Sequence, residues 1–176
     1  PPRRPPEAPD AAGASEAATI DELGPVAAAA MVHRLARLPL CVELIASALV
    51  LPLLAPALVR PCAVLWDERG KPARWLPGAR TVLCVRGDTA EVASVTDDDV
   101  QALDSPFGYP VGRLKSPEAL VWQPLDIDTD ALPRLWRLGV AAELTGCLDA
   151  GLRAVVTHVS DRRQFGRPLG AFQAVQ

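Results

Sequence analysis

The sequence predicts an α+β protein: an N-terminal helical segment, a small antiparallel β domain, and the start of a C-terminal helical bundle. Three observations carry that prediction. Residues 20–60 are rich in Ala and Leu and punctuated by prolines. Residues 62–123 hold four short runs of β-branched and aromatic residues separated by turn signals. From Leu132 onward, apolar positions recur at three- and four-residue steps. The expected division is a disordered lead-in over 1–18, a reduced N-terminal helical domain over 19–60, a reduced β domain over 61–131, and a C-terminal helical domain that begins at 132 and runs to 176.

Composition narrows the function classes. At 176 residues the chain makes one compact domain or two small ones sharing an interface. Hydrophobic residues are 49% and aromatics only 5%, so the core must be built from Ala, Leu and Val. A net charge of −3 leaves no basic face for a phosphate backbone, which argues against nucleic acid as a partner. Cysteines at 41, 62, 84 and 147 form no C-x-x-C pair and are expected as buried, reduced thiols of a cytoplasmic protein. His33 and His158 are too few for a zinc or iron ligand set, and no metal site is expected. The 16 Arg against two Lys point to a GC-rich coding bias rather than to a function.

The elements follow in order. Residues 1–18 are Pro/Ala-rich without the apolar stretch of a signal peptide. Asp21 precedes a first turn, Pro25 suits a helix start, and a helix is expected over 26–37. Pro39 interrupts, a second helix is expected over 40–51, and Pro52 and Pro56 keep anything beyond it short or kinked. The apolar stretch 41–59 contains Glu43 and two prolines, so it reads as a buried helical layer and not a membrane span. Strands are expected over 62–66, 81–85, 91–95 and 120–123. No long helical period lies between them, which favours an antiparallel sandwich or partial barrel. Asp97-Asp98-Asp99 reads as a solvated loop or helix cap without a metal role. The third block reads as one amphipathic helix of about 30 residues, roughly 45 Å long. Its apolar line is Leu135, Leu138, Ala142, Thr145, Leu148, Leu152, Val155 and Val159. Gly139, Gly146 and Gly151 each cost about 1 kcal/mol relative to Ala and are expected to admit a neighbouring helix. Arg162 and Arg163 suit the negative end of its dipole. Gly166, Pro168 and Gly170 break it, and residues 171–176 read as the opening of another helix, whose apolar face needs more chain or another subunit.

The segment Ser160-Asp161-Arg162-Arg163-Gln164-Phe165-Gly166-Arg167-Pro168-Leu169-Gly170-Ala171-Phe172-Gln173 resembles the acyl-CoA dehydrogenase signature R-x-Q-F-G-x-P-[IL]-x-x-F-Q. In that family the signature follows a long helix that opens the C-terminal helical domain, after an α domain and a β domain. The close match covers residues 133–176, about a quarter of the chain, and elsewhere the agreement is one of order and character. A guanidinium at a helix end suits a pyrophosphate, an amide can join it, and an aromatic can cover a flat ring. The resemblance implies that Arg162, Gln164 and Phe165 reach the FAD of a neighbouring subunit, that Phe172 and Gln173 also touch it, and that Arg137 helps shape the CoA-thioester site. The family's acid three residues before that arginine is replaced by Arg134.

Three departures stand out. The family's T-E-P-x-x-G-S-D-like loop and its flavin-binding strand have no counterpart: residues 62–70 read CAVLWDERG, without Ser or Thr. The first two domains are short. The segments that carry the family's catalytic carboxylate and close its flavin site would follow residue 176. Asp161, Asp149 and Glu143 are the acids near the signature, and nothing marks one as a base, so no catalytic residue is assigned.

The resemblance implies a subunit of an FAD-dependent acyl-CoA dehydrogenase that oxidises an acyl-CoA to the 2,3-enoyl-CoA and passes electrons to an electron-transfer flavoprotein. Some actinobacterial members are heteromers with one degenerate subunit, and this chain fits that part, inactive alone. The alternatives are a structural subunit of such a complex that binds no flavin, and a generic α+β interaction module.

Overall fold

The computed structural model describes residues 24–106 and 108–175. The expected lead-in over 1–18 and the cap at Asp21 lie outside the described residues. Helix α1 runs Gly24–Ala36, with Pro25 in its first turn, where a missing N–H goes unnoticed. It buries Ala28, Ala29 and Val32.

The second helix starts later than expected. Residues 40–44 are not helical. The Glu43 carboxylate instead accepts the N–H groups of Ala46 at 2.7 Å and Ser47 at 2.9 Å, capping the helix that follows. That helix is π-helical over Ala46–Val50 and becomes α2 over Leu51–Leu54. Pro52 supplies the reason. It has no N–H for the carbonyl one turn back and its ring crowds that carbonyl, so the preceding turn widens, and Leu51 donates five residues back to Ala46. Every residue of the π-helical turn is buried.

Among the described residues nine strands follow: β1 Cys62–Trp66, β2 Ala73–Arg74, β3 Thr81–Arg86, β4 Thr89–Ser94, β5 Val100–Leu103, β6 Val111–Leu114, β7 Gln123–Pro124, β8 Arg163–Gln164 and β9 Arg167–Pro168. One sheet has the order β1-β3-β4-β7 and a second the order β2-β6-β5. The purely antiparallel expectation is corrected at one pair, because β1 and β3 run parallel, Cys62 opposite Thr81 through Trp66 opposite Val85. The crossover needs no helix: the intervening chain places β2 in the other sheet and returns. Residues 97–99 form a 3₁₀ turn in a capping box with Thr96.

The β1–β3 pair is buried on both faces. Cys62, Val64, Leu83 and Val85 pack with Ile45, Val50, Leu51 and Leu132 of the helices. Ala63, Leu65, Val82 and Cys84 pack against Leu76, Val100 and Leu114 on the second-sheet side. That is why these strands read as continuous apolar runs. The cysteines divide: Cys62 and Cys84 are buried, whereas Cys41 and Cys147 are exposed, correcting the expectation of four buried thiols. All four are free, and burial pushes the Cys62 thiol up to about 12.

Helix α3 spans Ala131–Asp161, 31 residues. Asp128 accepts the N–H groups of Asp130 and Ala131 at its start. The buried seam is Leu132, Gly139 and Gly146, not the expected line. A Cβ on Gly146 would lie 2.4 Å from the His33 carbonyl oxygen of α1, and one on Gly139 would lie 2.6 Å from Ile45. Gly151 meets nothing within 4 Å. Leu148, Leu152 and Val155, expected inside, are 70%, 65% and 58% exposed. Near the last point of contact with α1, Asp149 pairs with Arg37 at 2.9 Å and with Arg153 at 3.0 Å. Among the described residues no helix is long and apolar enough to cross a membrane.

Two predictions follow from these contacts. Gly146→Ala should cost about 1–3 kcal/mol, because a backbone carbonyl cannot give way, and Gly139→Ala a comparable amount, because it would meet the stiff branched base of Ile45 at Cγ2, Cγ1 and Cβ. Gly151→Ala should stabilise by up to about 1 kcal/mol through helix propensity. Urea unfolding of the three variants checks the order. Burial pushes the Glu43 carboxyl above its ordinary range, helped by nearby Glu143 and opposed by its bonds to Ser47 and Ala46. A raised carboxyl favours the fold in acid and loses that contribution as pH climbs through the raised value. The urea midpoint of the unaltered protein should therefore fall relative to that of Glu43→Gln as pH rises above about 4.5, the ordinary carboxyl value.

Candidate functional site

The signature segment forms a hairpin on the end of α3. Arg162 closes the helix, its N–H donating to the His158 carbonyl at 2.9 Å, and its own carbonyl accepts from Leu169 at 2.8 Å. Strands β8 and β9 pair Arg163 with Pro168 and Gln164 with Arg167. The two turn residues, Phe165 at φ 50° and Gly166 at φ 79°, both lie in the left-handed region that a tight two-residue hairpin needs. Glycine adopts that conformation freely; phenylalanine does so under strain. The Phe165 ring is 94% exposed and meets Phe172 edge-on at 6.4 Å. Arg167 lies 3.9 Å over the Phe172 ring. The expected helix after residue 170 is two 3₁₀ turns, Leu169–Ala171 and Gln173–Val175. Arg162, Gln164 and Gln173 are exposed.

Beside this hairpin, Arg153, Thr157, His158, Asp161 and Arg162 line an open groove of about 710 Å³. The helix dipole is negative at this end, so an anion here would depend on the two guanidinium groups rather than on the backbone. Arg162, Gln164 and Phe165 are therefore all exposed on the hairpin and the helix end that carries it. This fits one side of a flavin nucleotide, diphosphate to arginine and ring to ring, and lacks an enclosing wall.

Arg137 is elsewhere. It is exposed near the start of α3, 25 residues and so about 38 Å along the helix from Arg162. Its neighbour Trp136 turns inward and meets Trp66 edge-on at 5.8 Å. Of the segment 62–70, residues 62–65 are packed into the core on both sides, whereas Asp67, Glu68 and Gly70 are exposed. The acids near the signature are committed: Glu143 to Arg74 and Asp149 to two arginines, while Asp161 lines the groove. Among the described residues no group of His, Cys, Asp and Glu could hold a metal ion.

Sequence reasoning missed a polar junction where the helices and sheets meet. Arg74 Nη2 of β2 contacts both Glu143 oxygens of α3, at 2.9 and 3.1 Å. Its guanidinium lies 4.4 Å from the Tyr109 ring centroid, and its Nε is buried without a hydrogen-bond partner. Trp75 beside it sits at φ 65°, its N–H given to the Pro110 carbonyl. Cys41 donates to the Gly108 carbonyl at 3.2 Å. A second cluster holds Glu91 between Arg69 and Arg86, with Arg69 4.3 Å over Trp122. The Arg69 hydrogen bond, with help from Arg86, keeps the Glu91 carboxyl below its usual range. The only sequence trace of the first cluster is an Arg-Trp dipeptide at 74–75; its acid lies 69 positions away.

No family model and no curated protein matches the chain. Solved structures do. A Tcur3481-Tcur3483 steroid ACAD variant is 18% identical with a TM-score of 0.56, over 93% of this chain and 59% of that one. FkbI, for biosynthesis of a methoxymalonyl extender unit, is 21% identical with a TM-score of 0.43, over 93% and 59%. A glutaryl-coenzyme A dehydrogenase complex is 18% identical with a TM-score of 0.40, over 64% and 36%. This chain spans 59% of the length of the steroid ACAD variant, and over that span it has the α+β fold of the acyl-CoA dehydrogenases.

Proposed function

We propose that this chain is a subunit of an FAD-dependent acyl-CoA dehydrogenase, divided as the sequence suggests into a reduced N-terminal helical domain, a reduced β domain and the opening of a helical bundle. Its substrate class is an acyl-CoA, fatty or steroid-bearing, and its product the 2,3-enoyl-CoA. Its partners are another dehydrogenase subunit, of the same or a different chain, and an electron-transfer flavoprotein. Its place is the cytoplasm. The observation that carries this reading is Phe165, a nearly fully exposed residue held in the left-handed region at a hairpin tip, three residues beyond the exposed Arg162 that closes α3. An exposed strained aromatic on an outward edge serves a surface brought by something else.

Bound FAD would take the hydride that leaves the substrate β-carbon as a base removes the α-proton. In this chain, Arg162 would neutralise the diphosphate, Gln164 and Gln173 would hydrogen-bond the nucleotide, and Phe165, braced by Phe172, would cover a flat face and exclude water. Arg137 would serve an acyl-CoA at the other end of α3. The core packing of residues 62–65 supports the view that the rest of the flavin site belongs to a partner.

The test is the absorbance of the chain co-purified with a dehydrogenase subunit, at the flavin bands near about 370 and 450 nm. Arg162→Ala removes a charge-assisted hydrogen bond, about 1.5–3 kcal/mol, and should weaken FAD binding by about 10- to 100-fold. Flavin content unchanged by that substitution, or a colourless folded monomer that pairs with no subunit, would overturn the reading.

A further inference from the structure

The C-terminal part of α3 is an overhang. Contacts with α1 and the π-helical turn end near Asp149, and residues 150–161 are largely exposed. Whatever sets the tilt of α3 therefore sets where the hairpin goes. The seam of Gly146 on α1 and Gly139 on Ile45 of the second helix is a line of contact along α3. A line fixes the distance between two helices better than it fixes the swing of one about it. The sheet side reaches α3 along the adjoining part of that face: Leu132 packs among residues of β1 and β3, Trp136 meets Trp66, and outermost Glu143 meets Arg74. Positions 136 and 143 are two turns apart and share a face. The last two of these contacts lie about 10 Å apart, and the Arg74–Glu143 pair is the outer end of the hold on the sheet side.

That outer contact is built with unusual care. Arg74 is gripped between a carboxylate and the Tyr109 ring, Trp75 is held in the left-handed region, and one guanidinium N–H is buried without a partner. A patch needed only for stability would be served by apolar packing. We infer that the Arg74–Glu143 pair is a positioning pair: it aims α3 and thereby presents the Arg162–Gln173 hairpin at the angle a partner needs. The link to a flavin rests on the function proposed above; the aiming of the hairpin does not.

Glu143 is 19 residues from Arg162, so a swing of about 10° at the pair moves the hairpin by about 5 Å. The experiment measures a distance by electron spin resonance on the whole chain without flavin. Labels go on cysteines introduced at Asp88, in the β3–β4 turn, and at Arg163, with exposed Cys41 and Cys147 changed to serine. The unaltered pair should give a narrow distribution. Arg74→Ala and Glu143→Gln should each shift or broaden it by several ångströms. Arg74→Lys should restore it, because the observed contact uses one nitrogen shared between two oxygens, which an ammonium can copy. Urea midpoints identify a variant that fails to fold, and in that case Glu143→Gln, the milder change, decides. A narrow, unshifted distance in folded Arg74→Ala or Glu143→Gln overturns the inference. In the co-purified complex, the two disabling variants should also lower flavin content about threefold, with rescue by Arg74→Lys. A shifted distance with flavin content indifferent to both Arg74→Ala and Arg162→Ala would leave the pair its aiming role and overturn the flavin reading instead.

Discussion

The backbone carbonyl of His33 fills the space where a side chain at position 146 would be, and the rest of the molecule is arranged around the close approach this allows. Because Gly139 and Gly146 present only backbone, α3 lies directly on α1 and on Ile45, the first residue of the second helix. Ile45, Val50, Leu51 and Leu132 then form one apolar group with the near face of β1 and β3. A bulkier seam would lift α3 off this layer and separate Leu132 from the sheet. Helical propensity is given up at two positions so that a long helix can be anchored through half its length. The other half, with Leu148, Leu152 and Val155 uncovered, carries the hairpin away from the body.

The doubly buried β1–β3 pair has a functional cost of its own. A strand with helices on one face and a second sheet on the other has no side to offer a cofactor. Cys62, Ala63, Val64 and Leu65 are all less than a tenth exposed, so no hydroxyl placed there could reach a ligand without opening the core. The same burial holds the Cys62 thiol protonated at any physiological pH, which removes it from nucleophilic chemistry. Stability at the centre and the lack of flavin-binding hydroxyls in residues 62–65 thus have one physical cause, which does not extend to the exposed Asp67, Glu68 and Gly70.

The sequence was legible where a physical rule acts locally. Strand β1 falls where its β-branched run predicts, and α3 begins within a residue of the expected position because Asp128 and Pro133 mark its start. The hairpin turn needed glycine and showed it at Gly166. The misreadings concern partners distant in sequence. The apolar line through Leu148 and Val155 is periodic, and nothing in the period says which of two seams is covered; the glycines did say so, since only a missing side chain permits a 2.4 Å approach. Strands β2, β5 and β6 are two to four residues long, with Arg, Gly and Gln among them, and offer no alternation to read. The π-helical turn was half visible in Pro52, which signals a break without saying that the chain would widen rather than stop. The signature residues of the hairpin were found by pattern, and Arg74 with Glu143 was not, because an ion pair across 69 positions leaves no periodic trace.

The length of α3 links the two ends of the proposed function. Arg137 and Arg162 lie on one rigid rod about 38 Å apart, farther than a single flavin or thioester group can span. Both can serve chemistry only if they serve different sites, one against this chain's own body and one beyond it. A helix seated by glycine on backbone, rather than by flexible side chains on each other, is suited to that task, since an error in its angle grows with distance along it. The same geometry ties down two of the three acids along the rod. Glu143 is held by Arg74 and Asp149 by Arg37, and these two pairs brace α3 on the anchored side of the overhang, while Arg153 adds a pair with Asp149 within the helix itself. Carboxylates spent on holding the rod are not free to move protons, and Asp161, in the groove beside the hairpin, is the acid of α3 outside these pairs.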